Sequence, residues 1–529
     1  MTHYIASTLT IGLLTISTNT LGFMSNNYVL PTPDDTNVTQ LIVKLAPNEG
    51  TANGRVMTQG ALSHLIAAGG MPLEYKRPMS GGAHVIKLPF PMTSWQAQEF
   101  ATALSAQGNV TFAEADRRVY PMAAVTPNDP DYASQWHLQD PTQGNPGAAN
   151  LPLAWGEMQN ANSITVAVVD TGILNHSDLN DNLVSGNATG SGYDFISSST
   201  TYSNDGDVRD SNPSDPGDWN TDNNLCSITN SSWHGTHVAG TIAAEGNNSQ
   251  GVAGINWTAK VLNARALGRC GGYISDVTDA IAWSSGEAIQ GVPTNTNPAK
   301  VINLSLGSTG ACSPSQQTAI NTAIARGAVV VVAAGNEARN ISNSSPANCN
   351  NVIAVTALLA SGDLVNGSNY GTLADIAAPG VNILSTRDTG TQAPANSNTY
   401  STESGTSMAA AHVSGVVSLM FAVQPSLSNG AVPAGNVAST IEGLLKTAAR
   451  SFPVTSNCSG TTLCGAGMLD AYQAVIAARN FTVSNTNTGN TGGGGGGGGS
   501  SDVFSLFSLL LLLLPRFKRH YTNYRRNNT

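Results

Sequence analysis

Two histidines three places apart, His234 and His237, stand in the stretch SWHGTHVAGT, and two chemistries are open to such a pair. They can share a metal ion, or one of them can move protons. The spacing weakens the first reading, because paired zinc-binding histidines on one helix face sit four apart with a glutamate between them. The second reading needs a carboxylate to orient one imidazole and a hydroxyl on its far side. Both residue types occur in short, distinctive settings. AVVDTGILNHSDL ends an apolar strand-like run on Asp170, and ESGTSMAAAHVSGVVSLM places Ser407 in a tight turn that enters an apolar helix. The glycine after His234 and the small-residue run that follows put His234 at a helix N-terminus. His237 then lies one turn inside, in a structural role. A serine at a helix start is ordinarily a cap. Three such motifs in the order Asp, His, Ser favour a nucleophile instead.

The elements that must position these residues can be read from the pattern around them. From about Thr126 to Asn480, β-branched runs such as SITVAVVD, KVLNARAL, KVINLSLG, AVVVVAAGN and NVIAVTA alternate with helical stretches. Continuous apolar strands between helices imply a parallel sheet covered on both faces. Functional groups in such sheets gather at the carboxyl ends of the strands. Asp170 ends one of these runs and Asn336 ends another. Ahead of this region, residues 40–120 read as a smaller α+β unit: β-like QLIVKL, helical ALSHLIAAGG, extended LEYKRPMSGGAHVIKL, helical SWQAQEFATALSAQG, then β-like NVTFAEADRRVY.

Composition sets outer bounds. The chain has 529 residues, 40% hydrophobic and 11% charged, with a formal net charge of −10. Residues 126–480 carry 25 acids and 11 bases, a net of −14. That surface excludes nucleic acid as an electrostatic partner and suits divalent cations. Six cysteines, at 226, 270, 312, 349, 458 and 464, include no CxxC pair, so disulfides in an oxidising compartment are expected. Their number allows 15 connectivities, and spacing does not choose among them. The N-terminus has an apolar run from Ile5 to Ile16 of signal-peptide type, without a basic residue ahead of it. The C-terminus has eight glycines at 492–499, an apolar run from Val503 to Leu514, and a basic end with Arg516, Lys518, Arg519, Arg525 and Arg526. That run is shorter than the roughly 20 residues of a spanning helix.

With these motifs in hand, residues 126–480 resemble the subtilisin-like (subtilase) family of serine endopeptidases. The resemblance implies an α/β fold, a parallel sheet sandwiched by helices, preceded by a small α+β ferredoxin-like propeptide. It implies a secreted, self-processed endopeptidase of broad specificity. Ser407 is then the nucleophile, His234 the general base and later acid, and Asp170 the group that fixes the imidazole tautomer. Asn336, in AAGNEARN, matches the family's oxyanion-hole asparagine, with the Ser407 backbone N–H as second donor. In INLSLGS, Ser305, Leu306 and Gly307 match the edge strand that pairs with substrate and one wall of the specificity pocket. Ala333, Ala334 and Gly335 match the opposite wall, with Ser344 near its base. The small neutral lining and the absence of an acid deeper than Glu337 point to large apolar residues before the cleaved bond, not to strict Arg or Lys.

Structural calcium is expected at Asp178 and Asn248 with the carbonyls of Gln250 and Val252, matching a site of the family. A second cation is expected at Asp207, Asp210, Asp215 and Asp218, whose density of oxygens within twelve residues repels itself when bare. Similar bacterial secreted proteins imply the disulfide pairs Cys226–Cys270, Cys312–Cys349 and Cys458–Cys464. The expected organisation is a signal peptide at 1–25, an inhibitory propeptide at 26–124 cut near 123–125, a catalytic domain at 125–480, a linker at 481–499 and a sorting or anchor segment at 500–529. The last resembles the GlyGly-CTERM signal of Gram-negative bacteria. Location is therefore secreted or cell-surface, as a monomer, with transient membrane contact through the tail. Partners are protein and peptide substrates and the chain's own propeptide. Two alternatives make opposite demands on the site. A non-catalytic calcium-dependent adhesin needs a broken triad, and an acid-acting sedolisin-type enzyme has glutamate for His234 and aspartate for Asn336.

Overall fold

The computed structural model describes residues 38–47, 51–52, 56–116, 124–158 and 161–482. The expected signal peptide, the glycine run and the C-terminal segment lie outside these residues.

The first described elements are β1 (Val38–Leu45), α1 (Gln59–Gly69), β2 (Glu74–Pro78), β3 (His84–Met92), α2 (Ser94–Ser105) and β4 (Val110–Ala115). They form one sheet in the order β2-β3-β1-β4 with antiparallel pairing. This β-α-β-β-α-β order is the ferredoxin-like arrangement. Each helix starts where the sequence supplies a cap: Thr58 Oγ1 accepts from Ala61 N, and Thr93 forms a reciprocal capping box with Gln96. The unit has its own core, built around Leu41, Val43, Leu65, Ile86, Ala97, Ala101 and Leu104.

The larger region is built on seven parallel strands. In chain order its elements are β5 (Thr165–Asp170), β6 (Gly192–Asp194), α3 (His234–Ala243), β7 (Lys260–Arg265), α4 (Ile274–Ser284), β8 (Val301–Leu304), β9 (Ser308–Thr309), α5 (Pro314–Ala325), β10 (Val329–Ala333), β11 (Ser344–Ser345), β12 (Ile353–Leu358), β13 (Ile376–Pro379), β14 (Ile383–Arg387), β15 (Thr399–Glu403), α6 (Thr406–Val423), α7 (Ala434–Ala448) and α8 (Ala471–Arg479). The main sheet runs β13-β12-β10-β8-β5-β7-β6, every pair parallel. Every residue of β8, β10 and β12 is buried, as a sheet with helices on both faces requires.

At the centre lies α6, buried from Thr406 to Ala422. By length and composition it could cross a membrane, but with 94% of it inside the protein it is a core helix. Helix α3 packs beside it against the short antiparallel pair β14 and β15. These two helices begin near the carboxyl edge of the sheet, and they carry His234 and Ser407 to the ends of the strands that carry Asp170 and Asn336.

Candidate active site

Asp170 closes β5 with its carboxylate 1% exposed. Its Oδ1 accepts from the N–H of Thr171 at 2.8 Å. His234 Nδ1 lies 2.8 Å from Asp170 Oδ1 and 3.0 Å from Oδ2, so this nitrogen carries the proton and Nε2 is left as the acceptor. Two local features of the sequence create this contact. Trp233, buried and in the left-handed region (φ 55°), turns the chain into α3 and anchors its indole on Gly390 O at 2.7 Å. Gly235 is needed because a Cβ there would meet Gly172 O at 2.2 Å and Asp170 Cβ at 3.2 Å. The helix start can therefore approach the strand end closely.

Burial alone would lower the His234 pKa, but the Asp170 charge and hydrogen bond override it and raise it to about 9. Its side chain keeps 22% of its surface exposed, so the imidazolium form stays partly hydrated. His237, one turn on, does different work. It is fully buried, its Nε2 reaches Ile383 O at 2.9 Å and Ser401 O at 3.1 Å, and burial lowers its pKa to about 3. It clamps α3 to β14 and β15 as a neutral donor, so the two histidines share no metal.

Ser407 is the second residue of α6, where backbone N–H groups have no partner within the helix. Its Oγ donates to Ser305 O at 3.1 Å, not to His234, so the serine–histidine contact is not made in this rotamer. Catalytic hydrogen bonds of this kind tighten when substrate binds. Ser305 in turn donates to Ser407 O at 2.9 Å and accepts from Asn303 Nδ2, and Ser414 of α6 donates to Asn303 Oδ1. The turn that carries Ser407 is thus bolted to the end of β8. Asn336 follows β10 in an exposed turn. Its Oδ1 accepts from Thr406 N at 2.9 Å and Thr406 Oγ1 at 3.1 Å. With the amide oxygen fixed on the residue before Ser407, the amide N–H groups remain for a second acceptor.

The residues expected to form the specificity pocket fall into two facing segments. Leu306 is half-buried and Gly307 exposed on one side, with Ser305 beneath Ser407, while Ala333 and Ala334 are buried at the end of β10 and Gly335 follows. Pairing of Ser308 with Ser345 joins the first segment to that of Ser344. Sequence reasoning missed Asn369, which is fully buried and rivets this region. Its Nδ2 lies within 3.0 Å of Ala334 O, Ser344 Oγ and Glu337 Oε2, and its Oδ1 accepts from the backbones of Glu337 and Arg339. No motif marked it; only the fold brings SNYG to the pocket. Glu337 also pairs with Arg339 at 3.4 Å.

The expected calcium residues divide. Asp178 is fully buried and close to Asn248, whose Nδ2 donates to it at 2.8 Å, and to Val252, whose N–H donates at 2.9 Å. Gln250 joins through its N–H on Asn248 Oδ1. Burial raises the Asp178 pKa to about 7. Asp129, which the sequence reading did not single out, adds to that upward shift. Its own Oδ1 is buried without a hydrogen-bond partner.

The second expected site is not formed. Asp210 Oδ1 accepts from Asn212 N, Asp215 binds Thr171 and Gly217, Asp218 takes both N–H and Oγ of Ser232, and Asp207 is exposed. Among the described residues no group of three or more His, Cys, Asp or Glu is placed to hold a metal ion. The arginines nearby pair with other acids: buried Arg265 with Asp194 and Asp205, and Arg209 with Asp276 and Asp279. All six cysteines are bonded as Cys226–Cys270, Cys312–Cys349 and Cys458–Cys464, the pairing that the resemblance implied.

Comparison with known proteins agrees with this fold. The chain belongs to the subtilase family: the profile of the Subtilase family matches residues 161–483. An extracellular protease of Xanthomonas campestris pv. campestris is 44% identical over 407 residues, covering 76% of this chain and 66% of the relative. An extracellular basic protease of Dichelobacter nodosus is 42% identical over 397 residues, 73% of this chain and 63% of the relative. The chain therefore spans about two thirds of the length of these curated relatives. A solved structure titled as proteases from Pseudoalteromonas arctica PAMC 21717 is 45% identical with a TM-score of 0.60, covering 67% of this chain and all of that one.

Proposed function

We propose that the chain is a secreted serine endopeptidase that hydrolyses peptide bonds in proteins with broad specificity. The observation that carries this reading is the contact between Asp170 and His234 Nδ1, which leaves Nε2 as the basic nitrogen of the ring. In the reaction, a substrate strand lies along residues 305–307 and its scissile carbonyl sits over Ser407. Ser407 Oγ turns from Ser305 O to attack that carbonyl while His234 Nε2 takes its proton. The tetrahedral oxyanion is met by Asn336 Nδ2–H and the Ser407 N–H, donors held in place before the charge appears. His234 then returns the proton to the leaving amine, and water repeats the cycle to release the acyl group. The small walls around Ala333, Ala334 and Gly307 support a preference for large apolar residues ahead of the cut.

The separately cored α+β unit is read as an inhibitory propeptide, removed by the enzyme near 123–125. Val125 supports this boundary, since its N–H already bonds to Pro152 O within the catalytic core. Secretion accords with three disulfides and with the extracellular relatives. Calcium fits the Asp178 region, where Asp129, Asp178, Asn248 and the carbonyls of Gln250 and Val252 would hold it; when bound it would neutralise a buried carboxylate. The tail at 500–529 is read as a sorting segment with transient membrane contact. The active species is a monomer.

Treatment with a sulfonyl fluoride tests the mechanism directly. Peptide mapping should find the label on Ser407 alone, and Asp170→Asn should slow labelling by orders of magnitude. A label elsewhere, or none on the folded parent, would sink the reading.

A further inference from the structure

A second buried carboxylate stands one hydrogen bond behind the Asp170–His234 pair. Asp215, in the connection between β6 and α3, is 1% exposed. Its Oδ1 accepts from Gly217 N at 2.8 Å and its Oδ2 from Thr171 Oγ1 at 2.7 Å. Thr171 is the residue after Asp170, and each of its polar atoms is held. Its N–H donates to Asp170 Oδ1 at 2.8 Å, its carbonyl accepts from Arg265 Nε at 3.2 Å, and its Oγ1 accepts from Gly235 N at 3.0 Å. Gly235 is the residue after His234.

The direction of each bond follows from chemistry. Gly235 N–H can only donate, so Thr171 Oγ1 must offer it a lone pair. The hydroxyl hydrogen must then point elsewhere, and Asp215 Oδ2 accepts it. Asp170 and His234 are 64 residues apart in the chain, on different elements. Thr171 bridges those elements at the two backbone positions directly after them. We propose that Thr171 and Asp215 are positioning residues of this reaction: Asp215 aims the Thr171 hydroxyl, and Thr171 ties the first turn of α3 to the end of β5. The pair thereby fixes the distance and angle between Asp170 and His234. Neither residue touches substrate, and neither exchanges a proton in the cycle.

The inference rests on the reading of Asp170, His234 and Ser407 as a triad, and the test separates the two. Full-length Thr171→Val, Thr171→Ser, Asp215→Asn and Ser407→Ala proteins are compared with the parent in kcat, KM and thermal midpoint. Loss of the hydroxyl in Thr171→Val is expected to lower kcat by about 10-fold to 10²-fold with KM within about twofold, because misplacement of a catalytic group acts on the chemical step. Thr171→Ser keeps the hydroxyl and should restore most of kcat. Asp215→Asn should lower kcat in the same sense, and it supplies the measurement if Thr171→Val does not mature. Equal kcat for the valine, serine and parent proteins would overturn the proposal. So would losses that follow the thermal midpoint and are not rescued by serine, which mark a merely structural threonine. If the parent itself were as inert as Ser407→Ala, the triad reading would fail first.

Discussion

At the scale of single residues, the site is a set of groups whose freedom has been removed. Asn336 shows this most simply, since Thr406 occupies its amide oxygen and leaves only the donor end for an oxyanion. Asn336→Ala should lower kcat by the amount typical of one such donor in this family, on the order of 10² to 10³, with KM little changed. Steady-state kinetics on a chromogenic peptide checks this, and a loss confined to KM would contradict it. The acid limb of kcat/KM reports His234. A general base must be neutral, and with its pKa raised to about 9, activity should climb by about tenfold per pH unit up to that region. A limb centred near pH 6.5 would show that Asp170 does not hold the imidazole in the free enzyme. The stability linkage has the opposite sign. The folded value lies above the usual one, so the pair stabilises fully below about pH 6.5 and that contribution is lost as pH rises through about 9.

Elements explain what single residues do not. The three side chains proposed as a triad stood out in the sequence because each sits in a short motif whose neighbours have a local reason: a buried strand end for Asp170, a glycine-eased helix start for His234, and a turn into a buried helix for Ser407. The reading failed where the reason is a contact between distant segments. The loop with Asp215 and Asp218 was expected to bind a cation, because acid density is visible in sequence and fold-back is not. Its carboxylates instead turn to Thr171 and Ser232, while Arg265 from a distant strand pairs with neighbouring Asp194 and Asp205. Asn369 and Asp129 were invisible for the same cause. Helix packing gives a test at this scale. A Cβ at Gly240 of α3 would lie 2.0 Å from Thr386 Oγ1 and 2.6 Å from Ser385 Oγ on β14. Those hydroxyls donate to Thr236 O and His237 O. Gly240→Ala should therefore destabilise by about 1–3 kcal/mol, the usual cost of overpacking. Thermal unfolding in a Ser407→Ala background, free of autolysis, measures it; an unchanged midpoint would show that α3 and β14 part without cost.

For the molecule as a whole, the parallel sheet, the buried α6, three disulfides and arginine-paired acids make a rigid frame under a net negative surface. The sheet, its helical cover and the α+β order of the early unit were all legible, since strand and helix periodicities are local. The packing of Asn369 across the pocket and the rotamer of Ser407 were not. The proposed calcium would add a contribution to stability from outside the chain. Asp178 and Asp129 bring buried negative charge together, so chelation should lower the thermal midpoint of the mature protein, and added calcium should restore it. If EDTA leaves thermal inactivation unchanged, no structural calcium is held there.

The most direct test of the central claim is casein hydrolysis at pH 8 with calcium, comparing the purified mature protein with its folded, propeptide-free Ser407→Ala variant. Hydrolysis by the parent and none above background by the variant is the predicted result. Equal activity in both, or none in either, would contradict a mechanism built on Asp170, His234 and Ser407.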